Sequence, residues 1–251
     1  MSWQGGAVDL RLDLRVPGAG AVRTVWTPAA MEPKGWAWLQ HGFARSSGRL
    51  GGLAGALASQ GITVVRPDIS SFTPWRSLHD RDYLGAVARR VAESVADGTV
   101  AVHGVAAGGP WLGIGHSAGA AVVVEAAAVL ADQPVDLGGL ILLDPVDTVG
   151  GLMAAALPGV GEVPMVAFAC APSRCNRHGA TLATLTGRVE VVDLPGLSHA
   201  DPERIPADLR VSSVPPAGRA VTALCGAGGT PDAVVDLGER VLAVATRLTT
   251  L

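Results

Sequence analysis

The segment that most constrains this chain is a serine flanked by glycines where two different apolar runs meet. Gly115-His116-Ser117-Ala118-Gly119 follows a short apolar run, residues 111–114, and precedes an Ala/Val-rich stretch, residues 120–131. A G-x-S-x-G between a strand and a helix holds its serine on a sharp, strained turn, and the glycines remove Cβ atoms that would clash there. We therefore predict that Ser117 is a nucleophile.

Short apolar runs alternate with segments of helical period along most of the chain. An opening hairpin is predicted from residues 8–16 and 21–26 around a turn at 17–20. Further strands are predicted at residues 36–40, 63–66, 111–114, 140–143, 164–169 and 189–192, and helices at 50–60, 80–96, 120–131 and 231–248. We expect an α/β fold with a mostly parallel central sheet, an N-terminal antiparallel hairpin and helices on both faces.

The composition is typical of a sizeable buried core. Hydrophobic residues make up 49% of the 251 residues and charged residues 16%, which suits a sheet covered on both faces. No internal repeat or low-complexity linker interrupts the chain, so we predict one domain over residues 1–251. Within it, residues 148–162 are expected to form a flexible cover over a pocket, and residues 201–216, with four prolines, an irregular loop.

Charge and hydropathy argue against two kinds of partner. The net charge is -3 and no local run of Lys and Arg occurs, so nucleic acid is not expected to bind. The apolar stretches are too short or too interrupted to cross a bilayer, and the N-terminus lacks the pattern of a secretory signal. We expect a soluble, cytoplasmic protein, with secretion as the alternative if the sequence has been trimmed. The sequence leaves the oligomeric state open.

Three cysteines cannot all pair. Cys170 and Cys175 are close enough in sequence to form a small disulfide loop. In a reducing compartment they would be two free thiols, and the sequence leaves both alternatives open. No second Cys or His pair with zinc-ligand spacing accompanies them, so no metal site is expected.

Both partners that a nucleophilic serine needs follow it along the chain. Asp144 comes directly after the apolar run at residues 140–143, where catalytic groups gather at the carboxyl ends of strands. Asp144 is the predicted acid, and Asp147 is the second choice. The alternative is that Asp144 is only a turn residue at the end of the strand. His199 lies just beyond the last predicted strand and is the predicted base, since it comes after the acid in the expected order.

The same chemistry needs hydrogen-bond donors for an oxyanion. One is predicted to be the backbone N–H of Ala118, directly after the nucleophile. The second is predicted to be the N–H of Phe43, in a loop where Gly42 lets the backbone approach a substrate. The alternative is a strand-ending turn in which Phe43 is merely packed.

Together these residues give the chain a resemblance to the chlorophyllase-like esterases of the α/β-hydrolase superfamily, from about Gly35 onward. His41-Gly42-Phe43 is similar to that family's oxyanion loop, and Asp144-Pro145-Val146 looks like its acid motif, which supports Asp144 over Asp147. Further family patterns are Cys170-Ala171-Pro172 with Asn176, residues 196–201, and Cys225-Gly226 before a terminal helix. The family carries a larger basic residue and a glycine where this chain has Ala118 and Ala120.

The resemblance implies a serine hydrolase that cleaves carboxylic esters through an acyl-enzyme, with chlorophyll as one ester among several. No metal or organic cofactor is required, and the substrate is a small-molecule or lipid-like ester. A polyester or cutinase-like hydrolase and an acyl thioesterase would use the same triad. A non-catalytic binding protein on the same fold is the alternative from another class, although such proteins usually lose a catalytic group that this chain keeps.

Overall fold

A single eight-stranded sheet forms the centre of the computed structural model, which describes residues 8–73, 75–147, 151–210 and 219–250. The order across the sheet is β1-β2-β4-β3-β5-β6-β7-β8. The strands are β1 (Leu10–Val16), β2 (Gly20–Thr27), β3 (Gly35–Gln40), β4 (Ile62–Pro67), β5 (Trp111–His116), β6 (Leu137–Leu143), β7 (Met165–Cys170) and β8 (Glu190–Leu194).

The pairing follows the expected α/β pattern. Strands β1 and β2 form an antiparallel hairpin that joins β4 antiparallel, while β4, β3, β5, β6, β7 and β8 are parallel neighbours. The central strands are buried on both faces, which explains why they appear in the sequence as short continuous apolar runs. The predicted fold class is confirmed.

Helices cover both faces of the sheet. They are α1 (Gly51–Ser59), α2 (Arg81–Ala96), α3 (Gly119–Leu130), α4 (Leu152–Val160), α5 (Ala180–Thr184), α6 (Arg219–Cys225) and α7 (Pro231–Leu248). Short 3-10 helices occupy Ser47–Leu50, Ala101–His103, Arg177–Gly179 and Asp201–Arg204. Side chains of α2, α3 and α4 join one hydrophobic core, and those of α1 and α7 join a second core on the opposite face. None of the helices in the described ranges is long and apolar enough to cross a bilayer.

The segment expected to be a flexible cover contains a packed helix. Helix α4 buries Leu152, Met153, Ala156, Leu157 and Val160 in the same core as α3. Its apolar residues recur at helical spacing, and the glycines and Pro158 concealed that period in the sequence. Residues 148–150 lie outside the described residues. The loop predicted at 201–216 begins with the 3-10 helix Asp201–Arg204 and is irregular to residue 210, and residues 211–216 also lie outside the described ranges.

The parallel pairing brings the connections that follow six strands to one edge of the sheet. Gln40 pairs with Gly115, and His116 pairs with Leu143, so β3, β5 and β6 end level with one another. Strand β3 has β4 on one side and β5 on the other, so the chain reverses direction across the sheet there. Open α/β sheets bind ligands in the crevice outside such a reversal. All the predicted site residues therefore meet at this edge.

Candidate active site

Ser117 lies on a tight turn between β5 and α3. Its φ of 56° is in the left-handed region, which is costly for a residue with a side chain. The flanking glycines are required sterically, because a Cβ on Gly115 would lie 2.4 Å from the Gly119 carbonyl oxygen, and one on Gly119 would lie 2.4 Å from that of Gln40. The turn is fixed to β6, since the Ser117 N–H donates to the Leu143 carbonyl at 3.0 Å.

His199 connects the serine with a carboxylate. Its Nε2 is 2.8 Å from Ser117 Oγ, and its Nδ1 is 2.6 Å from Asp144 Oδ2. A carboxylate accepts hydrogen bonds, so Nδ1 carries the proton and Nε2 is left to accept one from the serine hydroxyl. All three side chains are buried or nearly so. The structure thus brings together the predicted nucleophile, base and acid.

Asp144 is held in place by donors from the β7 end of the sheet. Its Oδ1 accepts from the Cys170 N–H at 3.1 Å, and the Asn176 side-chain amide donates to its Oδ2 at 3.0 Å. Asp147 has a different position and task. Its carboxylate accepts from the N–H groups of Met153 and Ala154, at the start of α4, so the structure brings Asp144 and not Asp147 to His199.

The two predicted oxyanion donors lie close to Ser117. A Cβ added to Gly42 would come within 2.8 Å of Ser117 Cβ, so the loop after β3 passes directly beside the serine. The N–H groups of Phe43 and Ala118 donate to no acceptor among the described residues, and both residues line the same cavity as Ser117. Two unused donors at this position match the requirement of an oxyanion site.

His116 supports the loop that carries His199. Its Nε2 donates to the His199 carbonyl oxygen at 2.7 Å, and the two rings lie 4.9 Å apart. Burial, followed by the charge of neighbouring His199, lowers the pKa of His116 from 6.5 to about 4, so the ring is neutral at pH 7. Its Nδ1 lies 3.6 Å from Glu203 Oε1, and Arg45 binds that carboxylate at 2.9 Å.

A second buried carboxylate, Asp201, fixes the turn after His199. Its Oδ2 accepts from the N–H groups of Ser198 at 2.7 Å and Gly229 at 2.8 Å, and Arg204 donates to its Oδ1. The turn is therefore fixed to the segment that precedes α7. Asp201 makes no hydrogen bond to the His199 ring within the described part of the chain, so its carboxylate holds the loop and not the imidazole.

The disulfide among the described residues joins two cysteines that the sequence analysis did not pair. Cys175 is bonded to Cys225, which is 50 residues away, and Cys170 is a buried free thiol at the end of β7. Burial raises the pKa of the Cys170 thiol, so it remains protonated. The sequence left a Cys170–Cys175 disulfide and two free thiols open as alternatives. In the structure β7 buries Cys170, while the following loop brings Cys175 to α6.

A main cavity of about 770 Å³ opens beside Ser117. Its wall is largely apolar near the serine, with Ala118 and Val146, and it carries polar groups further out, including Thr181 and Arg177. Phe43 is half exposed at its mouth, and the ring of the exposed Phe72 packs edge-on against it at 5.0 Å. Among the described residues, no group of three or more His, Cys, Asp or Glu side chains is arranged to hold a metal ion.

Three supporting residues escaped the reasoning from residue types. Asn176 and Asp201 appeared only within family patterns, and Glu203 lay in a segment predicted to be an irregular loop. A usable signal was available for Asp201, because Asp side chains often accept hydrogen bonds from nearby backbone N–H groups in turns. Glu203 offered none, since its partner Arg45 is 158 residues away.

No protein-family model matches the sequence, and no curated protein matches it. Solved structures do match. The esterase domain of a Rhodothermus marinus protein superposes with a TM-score of 0.59 at 16% identity, covering 96% of this chain and 99% of that one. An alpha-beta serine hydrolase homologue from Coxiella burnetii gives a TM-score of 0.54 at 19% identity, covering 81% and 94%. The thioesterase domain from the curacin biosynthetic pathway gives 0.55 at 12% identity, covering 95% and 99%.

These similarities establish the fold. Identities of 12–19% carry no information on substrate, but the coverage shows that nearly the whole chain follows one known architecture. The chain has the α/β-hydrolase fold, with a serine, a histidine and an aspartate assembled at the carboxyl edge of its sheet.

Proposed function

We propose that this protein is a serine hydrolase that cleaves carboxylic esters through an acyl-enzyme. Ser117 Oγ attacks the ester carbonyl carbon while His199 Nε2 takes its proton. Asp144 keeps the proton of the imidazole on Nδ1 and stabilises the imidazolium. The N–H groups of Phe43 and Ala118 stabilise the oxyanion, and the alcohol leaves with the proton from His199. Water then releases the acid by the same base.

The observation that carries this proposal is the continuous chain from Ser117 Oγ to His199 Nε2 at 2.8 Å and from His199 Nδ1 to Asp144 Oδ2 at 2.6 Å. A nucleophile, a base and an orienting acid at hydrogen-bond distance are the signature of nucleophilic catalysis. The left-handed φ of Ser117 adds support, because strain of this kind persists where the surrounding structure requires it.

The substrate is proposed to be a small-molecule or lipid-like ester. The apolar wall beside Ser117 suits an acyl chain or an aromatic acyl group, and no cofactor is needed for the chemistry. The resemblance of the sequence to chlorophyllase-like esterases makes chlorophyll one candidate among such esters. Similarity in fold to esterase and thioesterase domains agrees with acyl transfer to water but does not choose between oxygen and sulfur esters.

Polyester hydrolysis is a second candidate for the same residues. Phe43 and Phe72 form an exposed aromatic pair at the mouth of the main cavity, and an exposed apolar rim of this kind can lie against a polymer surface. Hydrolysis of an insoluble polyester film, measured by the acid released, tests this candidate. Loss of film hydrolysis in Phe72→Ala, with soluble ester hydrolysis retained, is the expected result.

The test of the proposed function is hydrolysis of p-nitrophenyl esters from acetate to long acyl chains. Ser117→Ala is expected to lower turnover by roughly three orders of magnitude or more. Ser59→Ala, on α1 away from the site, is the matched control and should retain activity. Equal inactivity of the wild type and Ser117→Ala on oxygen esters, thioesters and polyester would leave the non-catalytic binding protein as the better description.

A further inference from the structure

A second, much smaller cavity also reaches Ser117. It measures about 30 Å³, and we call it the side cavity. The loop after β3, the nucleophile turn and the histidine loop all contribute to its wall, which includes Gly42, Arg45, His116, Ser117, His199 and Glu203. A polar cavity needs roughly 10–15 Å³ to hold a water molecule, so this space suits one or two waters. It is far too small for an ester.

Two hydrogen-bond acceptors face each other in this wall. His116 uses its Nε2–H on the His199 carbonyl, and because the buried ring is neutral, Nδ1 carries a lone pair. His116 is 2% exposed, and its Nδ1 has no hydrogen-bond partner within the described part of the chain. The nearest polar atom is Glu203 Oε1 at 3.6 Å, which also accepts. Two buried acceptors this close together need a hydrogen-bond donor between them, and a water molecule can donate one O–H group to each.

His199, the proposed base, forms part of the wall of the side cavity. His199 lines the side cavity and is not among the residues that line the main cavity, whereas Ser117 lines both. A molecule in the side cavity lies beside both Ser117, which would carry the acyl group, and His199. A water there needs no path through the space that the acyl group fills.

We propose that the side cavity binds the water that hydrolyses the acyl-enzyme, which rests on the proposed function. The water is held by one O–H donated to His116 Nδ1 or Glu203. Its oxygen forms the new bond to the acyl carbon while its other proton passes to His199 Nε2. The bond between the acyl carbon and Ser117 Oγ then breaks, and Oγ takes the proton back from His199. The free acid leaves through the main cavity.

The test separates the formation of the acyl-enzyme from its hydrolysis. Ala200→Val adds two methyl groups to the wall of the side cavity, and Ala180→Val makes the same change in the main cavity as a matched control. Stopped-flow release of p-nitrophenol from p-nitrophenyl butyrate gives the acylation rate from the burst and the deacylation rate from the steady state. Intact-mass measurement detects the butyryl adduct on the protein.

Ala200→Val is expected to keep its acylation rate within about twofold and to lose roughly tenfold or more in deacylation, because a bound water has been displaced. The butyryl adduct then accumulates. Ala180→Val should alter KM without changing the ratio of the two rates. If both rates of Ala200→Val fall by the same factor, or if neither rate falls, the water that hydrolyses the acyl-enzyme lies elsewhere, and either result overturns the proposal.

Glu203→Gln is the second variant and does not depend on filling space. It replaces a carboxylate acceptor by an amide of the same size, and deacylation should again fall more than acylation. Circular dichroism confirms that each variant is folded. If no butyryl adduct depends on Ser117, so that the wild type and Ser117→Ala give the same masses, the proposed function itself fails. If the adduct forms on Ser117 but is hydrolysed equally fast in every variant, only the proposal on the side cavity fails.

Discussion

Two buried carboxylates lie on either side of His199 and differ in what they contact. Asp144, at the end of β6, and Asp201, in the turn after His199, are 1% and 0% exposed. Each carboxylate accepts several hydrogen bonds. The donors to Asp144 include the ring of His199, which also contacts Ser117 Oγ. Asp201 binds main-chain N–H groups and the Arg204 side chain.

The comparison shows that burial and hydrogen bonding are common to both carboxylates and do not distinguish them. Both groups meet the requirement that a buried charge be paired and hydrogen-bonded. The difference lies in the partner, because a bond to an imidazole controls which nitrogen holds the proton, whereas bonds to main-chain groups control only where a loop lies. Removing Asp144 should therefore affect the rate, and removing Asp201 should affect stability.

The largest effect is expected from Asp144→Asn. The amide keeps the size of the side chain but can donate to His199 Nδ1, which favours the wrong tautomer, so kcat should fall roughly 10⁴-fold. The free energy of unfolding in urea should change little. Asp147→Asn is the matched control three residues away and should leave kcat within about tenfold, since its carboxylate binds the first turn of α4. Similar losses of kcat in the two variants would contradict the assignment of the acid.

Asp201→Ala should lower the stability of the protein and leave kcat nearly unchanged, the reverse of the effect of Asp144→Asn. It removes the carboxylate that Arg204 contacts and the acceptor of the Ser198 and Gly229 N–H groups, so the free energy of unfolding should fall by about 3 kcal/mol. Urea unfolding measures this loss. The kcat of the folded fraction should stay within about tenfold of the wild type, because no bond to the His199 ring is removed. A large loss of kcat without loss of stability would make Asp201 part of the catalytic machinery.

Asn176→Ala tests the support of Asp144. The variant removes the amide that donates to Asp144 at 3.0 Å, and a hydrogen bond to a charged group is worth about 1.5–3 kcal/mol, so kcat should fall roughly tenfold to a hundredfold. KM should be nearly unchanged. Ser173→Ala lies in the same loop and is the control. Ester hydrolysis at saturating substrate is the measurement, and an unchanged kcat in Asn176→Ala would show that the Cys170 N–H is sufficient.

A further effect is expected in the pH dependence of stability. The pKa of His116 is about 4 in the folded chain and 6.5 when unfolded, so the unfolded chain binds a proton first as the pH falls. The contribution of His116 is fully present above pH 6.5 and is lost toward pH 4, by up to roughly 1.4 kcal/mol per pH unit. His116→Gln should flatten the pH dependence of the unfolding free energy in this window.

His103→Gln is the control for that measurement, because His103 is exposed on the 3-10 helix Ala101–His103. Its curve should follow that of the wild type. If His116→Gln and the wild type lose stability in parallel between pH 6.5 and 4, the ring of His116 is not the group that binds the proton.

Residues that follow strand ends could be predicted from the sequence. Ser117, Asp144 and His199 each come within a few residues of an apolar run, and parallel strands bring such positions to one edge whatever their separation along the chain. The glycines of the nucleophile turn carried further information, because their Cβ atoms would meet backbone within the turn or on β3. Local sequence was thus enough to predict the three residues that the structure brings together, Ser117, Asp144 and His199.

Supporting groups could not be predicted in the same way. The Arg45–Glu203 pair and the Asn176–Asp144 bond depend on how loops pack on one another, and a single sequence records neither contact. The partner of Cys175 was missed for the same reason, because three cysteines allow several pairings. Helix α4 was missed because its small residues and Pro158 obscure the helical period.

The bond between Cys175 and Cys225 encloses β8, His199 and the turn at Asp201 in a covalently closed ring of the chain. A single cut by a protease inside that ring, for instance after the exposed Arg210, opens the backbone without releasing either piece. The two fragments would migrate as one species on a denaturing gel until a reductant is added. The part of the chain that carries His199 can therefore be cut once and still stay attached to Ser117 and Asp144.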